Sequence, residues 1–348
     1  WRSSEDYFAA NGDVWIGITT TRNLILYAEG DPIAKLKRAD PVRYGWLGMG
    51  SSGHEGGLNW DVIAAVGQLA KAGALTGPLA VRKTVIGAWS GSGALTLFFA
   101  NTFHARMRLA GGGPIYDAVL LGEPGWYPRI NADSGDLMPY DIRQRPARLD
   151  VPVISISSTA PIEFGMPFRP RPDSDAPDAR FRAYEIAGAD HRGARDPMGG
   201  DLSELCGAAQ SDFPLHHYYS LAIDHLKSWS DGGAAPPPSR PIEIDRYGYV
   251  VTDVAGNVRG GVRSTRLDVP VARYYQTHEA PLVACRGGGR MEPFSRAELV
   301  RRYKNKANYV TRVRARAQEL VRDGWLLKEN AEEVVKEAEA FRGFDPAP

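Results

Sequence analysis

The segment Thr84-Val85-Ile86-Gly87-Ala88-Trp89-Ser90-Gly91-Ser92-Gly93-Ala94-Leu95 reads as a β-branched strand, a tight turn of small residues and the start of a helix. Such a turn lifts a serine hydroxyl proud of a sheet, and the residues two before and two after the serine must be small to avoid clashing. Ala88 and Ser92 meet that demand around Ser90, in place of the glycines of the strict G-x-S-x-G form. The chemistry this implies is nucleophilic attack by Ser90 on a carbonyl carbon. A helix starting directly after the turn aims backbone N–H groups and its positive end at the oxyanion that forms, so Gly91 N–H is the expected first donor. Trp89, beside the serine, is the expected binding residue. The competing nucleophile is Ser92, one step deeper into the helix, where its oxygen points along the helix axis. A plain loop, or a glycine-rich cradle for phosphate, is the alternative reading of the whole segment.

A serine hydroxyl is a weak nucleophile until a base takes its proton, and after a turn of this kind the partners follow in the chain order Ser, Asp/Glu, His. His191 fits the base. Tyr184-Glu185-Ile186-Ala187-Gly188-Ala189-Asp190-His191 is a strand running into a loop of small residues, well downstream of Ser90. His54, in a Gly-rich loop before the turn, is the runner-up. His104, His225 and His278 read as surface or satisfied core residues, and His216-His217, on the approach to a helix, as pocket-lining residues at most. The orienting acid should follow the strand that ends near Ser157. No carboxylate stands at that end; Glu163 is the first available, and Asp173 and Asp175 follow, each equally readable as part of a solvated acidic loop. No metal or organic cofactor is implied.

The elements that must position these residues alternate strand with helix. Val14–Thr19 reads as a buried strand and Leu58–Ala72 as a helix stopped by Gly73. Strand Thr84–Ala88 precedes a helix over Gly93–Phe103, and Val151–Ile156 and Arg180–Ile186 are further strands. Helix Tyr218–Trp229 closes this part. The alternation predicts the α/β class, a mostly parallel sheet covered on both faces. A core spanning 1–231 is then expected, with a Gly- and Pro-rich linker through Pro236-Pro237-Pro238. A segment over 242–348 follows, a β-like stretch and then helices, packed on the core. Ser295 and Glu298 form a capping box that opens one helix over Arg296–Arg322, with another over Glu329–Phe341. No internal repeat is apparent.

Composition narrows the partners. With 42 Lys+Arg against 41 Asp+Glu the formal charge is +1, so no global field favours nucleic acid or an anionic membrane. The cationic run Arg301, Arg302, Lys304, Lys306, Arg312, Arg314 and Arg316 reads as a solvated helix face over Leu299, Tyr303, Val310 and Val313. No stretch is long and apolar enough to span a membrane, and no signal-peptide pattern opens the chain, which leaves localisation undetermined. Cys206 and Cys285 either pair or remain free.

With these residues in hand, the chain resembles the poorly characterised "alpha/beta hydrolase domain" family of the α/β-hydrolase superfamily. The phrases that carry the resemblance are Asp40-Pro41-Val42-Arg43-Tyr44, Gly57-Leu58-Asn59-Trp60-Asp61-Val62-Ile63, Ala88-Trp89-Ser90-Gly91-Ser92-Gly93 with Asn101-Thr102-Phe103-His104, and Glu185–His191. In the tail they are Asp253–Arg263 and Val269-Pro270-Val271-Ala272. The resemblance implies an α/β-hydrolase fold in which the tail belongs to the fold. Where the family carries a carboxylate close to the end of the strand before the histidine, this chain has Ser158, Thr159 and Pro161. Against the family pattern the chain also reads as N-terminally truncated, with early strands missing and a complementing N-terminal segment to supply them and the second oxyanion donor. The expected activity is hydrolysis of a small-molecule carboxylic ester by Ser90, His191 and Glu163. An amide hydrolase, and an impaired binding protein on the same fold, are the alternatives.

Overall fold

The computed structural model describes residues 4–18, 32–46, 57–124, 144–164, 171–195, 203–279 and 283–346. The chain folds into two compact units, one of Val14–Val151 and one of Trp1–Asp13 with Pro152–Pro348. In chain order, α1 (Glu5–Asn11) belongs to the latter. The Val14–Val151 unit holds α2 (Pro32–Ala39), α3 (Pro41–Tyr44), α4 (Asn59–Lys71), β1 (Val85–Trp89), α5 (Gly91–Thr102) and β2 (Ala118–Gly122). The other unit resumes with β3 (Val153–Ser157), α6 (Ala160–Glu163), β4 (Phe181–Glu185), α7 (Ser203–Cys206), α8 (Leu215–Ser230) and α9 (Thr265–Asp268). It ends with β5 (Ala272–Tyr275), α10 (Val283–Arg286), β6 (Arg290–Pro293), α11 (Arg296–Tyr303), α12 (Lys306–Arg322) and α13 (Lys328–Ala340).

In the Val14–Val151 unit, β1 and β2 run parallel in a register from Val85↔Ala118 to Trp89↔Gly122. Every residue of β2 is buried, and so is α5 from Gly93 to Ala100, as a helix apolar on all sides requires. Helix α4 closes over α5 by stacking Trp60 on Phe98 and Phe103, with ring centroids 5.5 and 5.2 Å apart. It stops where expected, at Gly73 with φ +75°. Asp117 fixes the start of the strand pair by accepting from Thr84 N at 2.7 Å and from Lys71 Nζ at 2.8 Å. His104 is a satisfied core histidine, buried, with Nε2 2.6 Å from Asp150, and Arg108 closes the same carboxylate at 2.6 Å. That pairing holds the Asp150 carboxyl down at about 2, chiefly through the Arg108 hydrogen bond.

Two expectations change here. Residues 14–18 form no strand, and Val14 and Trp15 are half exposed; Thr19 lies outside the described residues. An apolar run becomes a strand only where a neighbour takes its N–H and C=O groups, and none pairs with it among the described residues. Strand β2 was not foreseen at all, because Ala118–Gly122 has no alternation to separate a strand from a helix.

In the other unit, β3 and β4 are parallel and almost wholly buried, in a register from Val153↔Phe181 to Ser157↔Glu185. Arg182 points from β4 to the Pro-rich linker: Nε donates to Pro236 O at 3.0 Å and Nη2 to Asp175 at 2.6 Å. The tail belongs to this unit. Val262 bridges Ile186 in parallel, and Trp325 packs edge-on against Tyr184 with centroids 5.0 Å apart. Cys206 and Cys285 are disulfide-bonded, which decides their pairing.

The tail corrects the sequence reading twice. It contains an eight-residue repeat: Asp245 Oδ1 accepts from Tyr247 N and Tyr249 N, and Asp253 Oδ1 from Ala255 N and Asn257 N, each before a left-handed glycine, Gly248 and Gly256. The long helix expected over Arg296–Arg322 is two. Ser295 caps α11 as predicted, but Lys304 turns to φ +66° and Asn305 then caps α12 by accepting from Asn308 N at 2.9 Å. Leu299, Tyr303 and Val313 are buried against α13, and most of the cationic run is paired. Arg302 binds Glu298, Arg314 binds Glu339, and Arg316 binds Asp268 and Glu319. No helix of the described residues is long and apolar enough to cross a membrane.

Candidate active site

Ser90 is the residue between β1 and α5, and its backbone sits at φ +58°, ψ −129°, a region that L side chains rarely enter. Two hydrogen bonds impose it. Ser90 N donates to Gly122 O at 2.9 Å, continuing the strand pairing, while Ser90 O already accepts from Ala94 N at 3.0 Å as the first bond of the helix. A chain that must be strand on one side of a residue and helix on the other has little room for any other backbone conformation. Gly91 and Ser92 open α5, where amide N–H groups have no partner within the helix, so the helix presents donors beside the serine. Trp89, Ser90 and Gly91 are all half-buried. The small residue the turn needs most is Gly93: a Cβ there would overlap Gly122 O and lie 3.4 Å from Ala88 O.

His191 follows β4 by way of a knot. Thr159 N donates to Ala189 O at 3.0 Å, its hydroxyl donates to Ile186 O at 3.1 Å, and Gly188 N, at φ +81°, donates back to that hydroxyl at 3.0 Å. Thus Thr159, just after β3, serves to fold the turn ahead of the histidine. Asp190 then closes the turn that carries His191, its Oδ1 accepting from Arg192 N at 2.8 Å and Gly193 N at 2.7 Å. Burial pushes the Asp190 carboxyl up, and these N–H bonds only partly offset it. Gly287, just past α10, lies beside the half-buried imidazole: a Cβ there would stand 3.7 Å from His191 Cβ. Gly289 is closer still to Asp190, where an added Cβ would stand 2.7 Å from Asp190 Cβ.

Glu163 ends α6 and is brought to Thr277, whose hydroxyl donates to Oε2 at 2.7 Å. Although the residue is exposed, partial desolvation raises its carboxyl from the ordinary value, and the Thr277 hydrogen bond opposes the rise. The other acid candidates have structural employment. Asp173 Oδ2 accepts from Ser239 N at 2.8 Å and holds the linker, and Asp175 pairs with Arg182. His225 Nδ1 lies 2.9 Å from the Tyr184 hydroxyl. His54 falls outside the described residues.

Two functional candidates escaped the sequence reading. Asp190 was legible in principle, since Asp190-His191-Arg192-Gly193 is a turn in which an aspartate accepts from the N–H groups that follow it. Glu123 is the other. It stands immediately after β2, next to the Gly122 carbonyl that fixes Ser90, is buried, and takes φ +39°.

A strand, a strained serine and a buried helix in this order define an α/β-hydrolase core. The model of the alpha/beta hydrolase domain family matches residues 1–336, and the chain belongs to that family. Comparison with curated proteins and with solved structures gives no match.

Proposed function

We propose that the protein is a serine hydrolase that cleaves carboxylic esters of small organic molecules through an acyl-enzyme. The observation that carries the reading is the Ser90 backbone: a non-glycine residue held at φ +58° between a strand and a helix costs about 1–3 kcal/mol, persists only because the surrounding structure imposes it, and is the kind of strain that clusters at active sites. Membership of a hydrolase family supports it.

In this mechanism His191 takes the proton of Ser90 as Oγ attacks the carbonyl carbon, and Gly91 N–H holds the oxyanion. The same imidazole returns the proton to the departing alcohol. Water, deprotonated by His191, then releases the acid and restores Ser90. Trp89 lines the acyl side. Glu163 orients the imidazole, a role that its one described partner, the Thr277 hydroxyl, leaves open to a further N–H donor. A second reading gives that role to Glu123, favoured by its burial and positive φ directly after the strand paired with β1. An amide bond would be cleaved by the same steps.

The direct test is labelling by a fluorophosphonate probe, followed by turnover of p-nitrophenyl esters of rising chain length. Labelling that disappears in Ser90→Ala supports the reading. A folded wild-type protein that neither labels nor turns over any ester of the series would overturn it in favour of a binding protein. Labelling lost in Ser92→Ala but kept in Ser90→Ala would move the nucleophile.

A further inference from the structure

Away from the proposed hydrolase residues, the first turn of α8 and the middle of α13 bring together His216, His217 and Glu333, each offering one ligand atom, all within 4.8 Å of one another. His217 is buried with Nε2 3.1 Å from Glu333 Oε2. His216 is the unusual member. Both of its ring nitrogens are sealed from solvent and neither has a hydrogen-bond partner among the described residues, although its ring packs against that of His217 with centroids 4.3 Å apart. Two ring nitrogens sealed from solvent and unsatisfied cost on the order of 1–3 kcal/mol each, so a structure that keeps them calls for a missing partner.

We infer that His216, His217 and Glu333 form a binding site for a divalent transition-metal ion of the zinc class. Two imidazole nitrogens and one carboxylate oxygen are the donors such ions select, and three protein ligands leave a fourth position for water. Bonds of about 2.0–2.1 Å place tetrahedral ligands roughly 3.3 Å apart, so the set must close slightly. Rotation of Glu333, which is 37% exposed, supplies that movement. The nearby charges permit a cation. Arg195 lies 3.2 Å from Glu333 Oε1, the oxygen not facing His217, and is itself shared with Asp6 at 2.5 Å, so these three groups carry a net charge of −1 before the ion arrives. The site ties the loop after His191, through Arg195, to the C-terminal helix.

The test uses the full chain, stripped with a chelator and titrated with Zn²⁺ by calorimetry and with Co²⁺ by visible absorption. One equivalent should bind, Co²⁺ should develop the intense d–d bands of a four-coordinate site, and Zn²⁺ should raise the melting temperature. His216→Ala should weaken binding by about 100-fold or more, at least the scale of losing an outer-shell partner. Glu333→Gln, which keeps the shape of the side chain, should do the same even if His216→Ala folds poorly. Binding that survives both substitutions in folded protein, or the absence of any saturable uptake by the wild type, overturns the assignment.

Discussion

The methylene of Gly93 faces the backbone carbonyl of Gly122 so closely that a Cβ would overlap the oxygen and lie 3.2 Å from the carbonyl carbon. That same oxygen accepts the Ser90 N–H. One carbonyl therefore sets both the closest approach of α5 to β2 and the backbone of the serine. Gly93→Ala should destabilise the protein by about 1–3 kcal/mol, the usual cost of overpacking, and slow fluorophosphonate labelling by displacing Ser90. Gly111→Ala, where the added methyl meets nothing within 4 Å, should shift the urea midpoint far less. Equal effects would mean that the close approach is not limiting.

The strain at Ser90 separates chemistry from stability. Ser90→Ala and Ser90→Gly should both abolish ester turnover, but only glycine relaxes a backbone at φ +58°, ψ −129°. After allowing for the greater freedom of glycine in the unfolded chain, Ser90→Gly should be more stable than Ser90→Ala by about 1 kcal/mol. Thermal melts of the two variants decide it, and the reverse order would show that the serine is not strained.

Asp190 gives a pH dependence with a definite sign. Its folded carboxyl is raised by burial above the unfolded value of 3.8, so its favourable contribution is complete below that value and is lost as pH rises through the folded value. Asp190→Asn keeps an oxygen for the Arg192 and Gly193 N–H groups without the charge, so stability relative to the wild type should improve from pH 4 upward. Asp190→Ala leaves both N–H groups without their acceptor and should cost about 1–3 kcal/mol at pH 4, a cost that shrinks as pH rises and the wild-type carboxyl ionises. Urea titrations of the three proteins across that range provide the measurement.

The disulfide closes a chain separation of 79 residues, for which the loop-entropy model gives about 4–5 kcal/mol as an upper figure. Cys285→Ser should lower the melting temperature and remove the response to dithiothreitol. Because Gly287 adjoins His191, it should also reduce kcat more than KM changes. A variant that melts lower with unaltered kcat would confine the bridge to stability.

The parts of the site that sequence could reveal are those encoded locally. Ser90, the helix after it and the loop bearing His191 each lie within a dozen residues whose sizes and order dictate the backbone. What stayed hidden depends on distant chain. Val14–Ile18 has the composition of a strand but pairs with no strand among the described residues, β2 is too uniformly apolar to show a period, and the break at Lys304 turns a good helix former to positive φ beside a capping Asn305. The demand for Gly93 came from a carbonyl in β2, a strand the sequence did not disclose.

The identity of the acid rests on the same distinction, because a carboxylate reaches its histidine through the fold. Glu163 is exposed, its carboxyl is raised by partial desolvation, and its one described partner is the Thr277 hydroxyl. Asp173 already receives both the N–H and the hydroxyl of Ser239. If Glu163 orients His191, Glu163→Gln should lower kcat by about 10³–10⁴ with little change in KM, since the amide favours the wrong imidazole tautomer. Thr277→Val, which removes only a hydrogen bond to that carboxylate, should cost far less. Asp173→Asn should loosen the linker, visible as a lower urea midpoint, while leaving kcat within a few-fold of wild type. A loss of the 10³–10⁴ scale in Glu123→Gln, with Glu163→Gln near wild type, would transfer the role to the end of β2. Small effects in both would leave Ser90 and His191 acting as a dyad, in which the imidazole is positioned by the backbone turn that Asp190 closes.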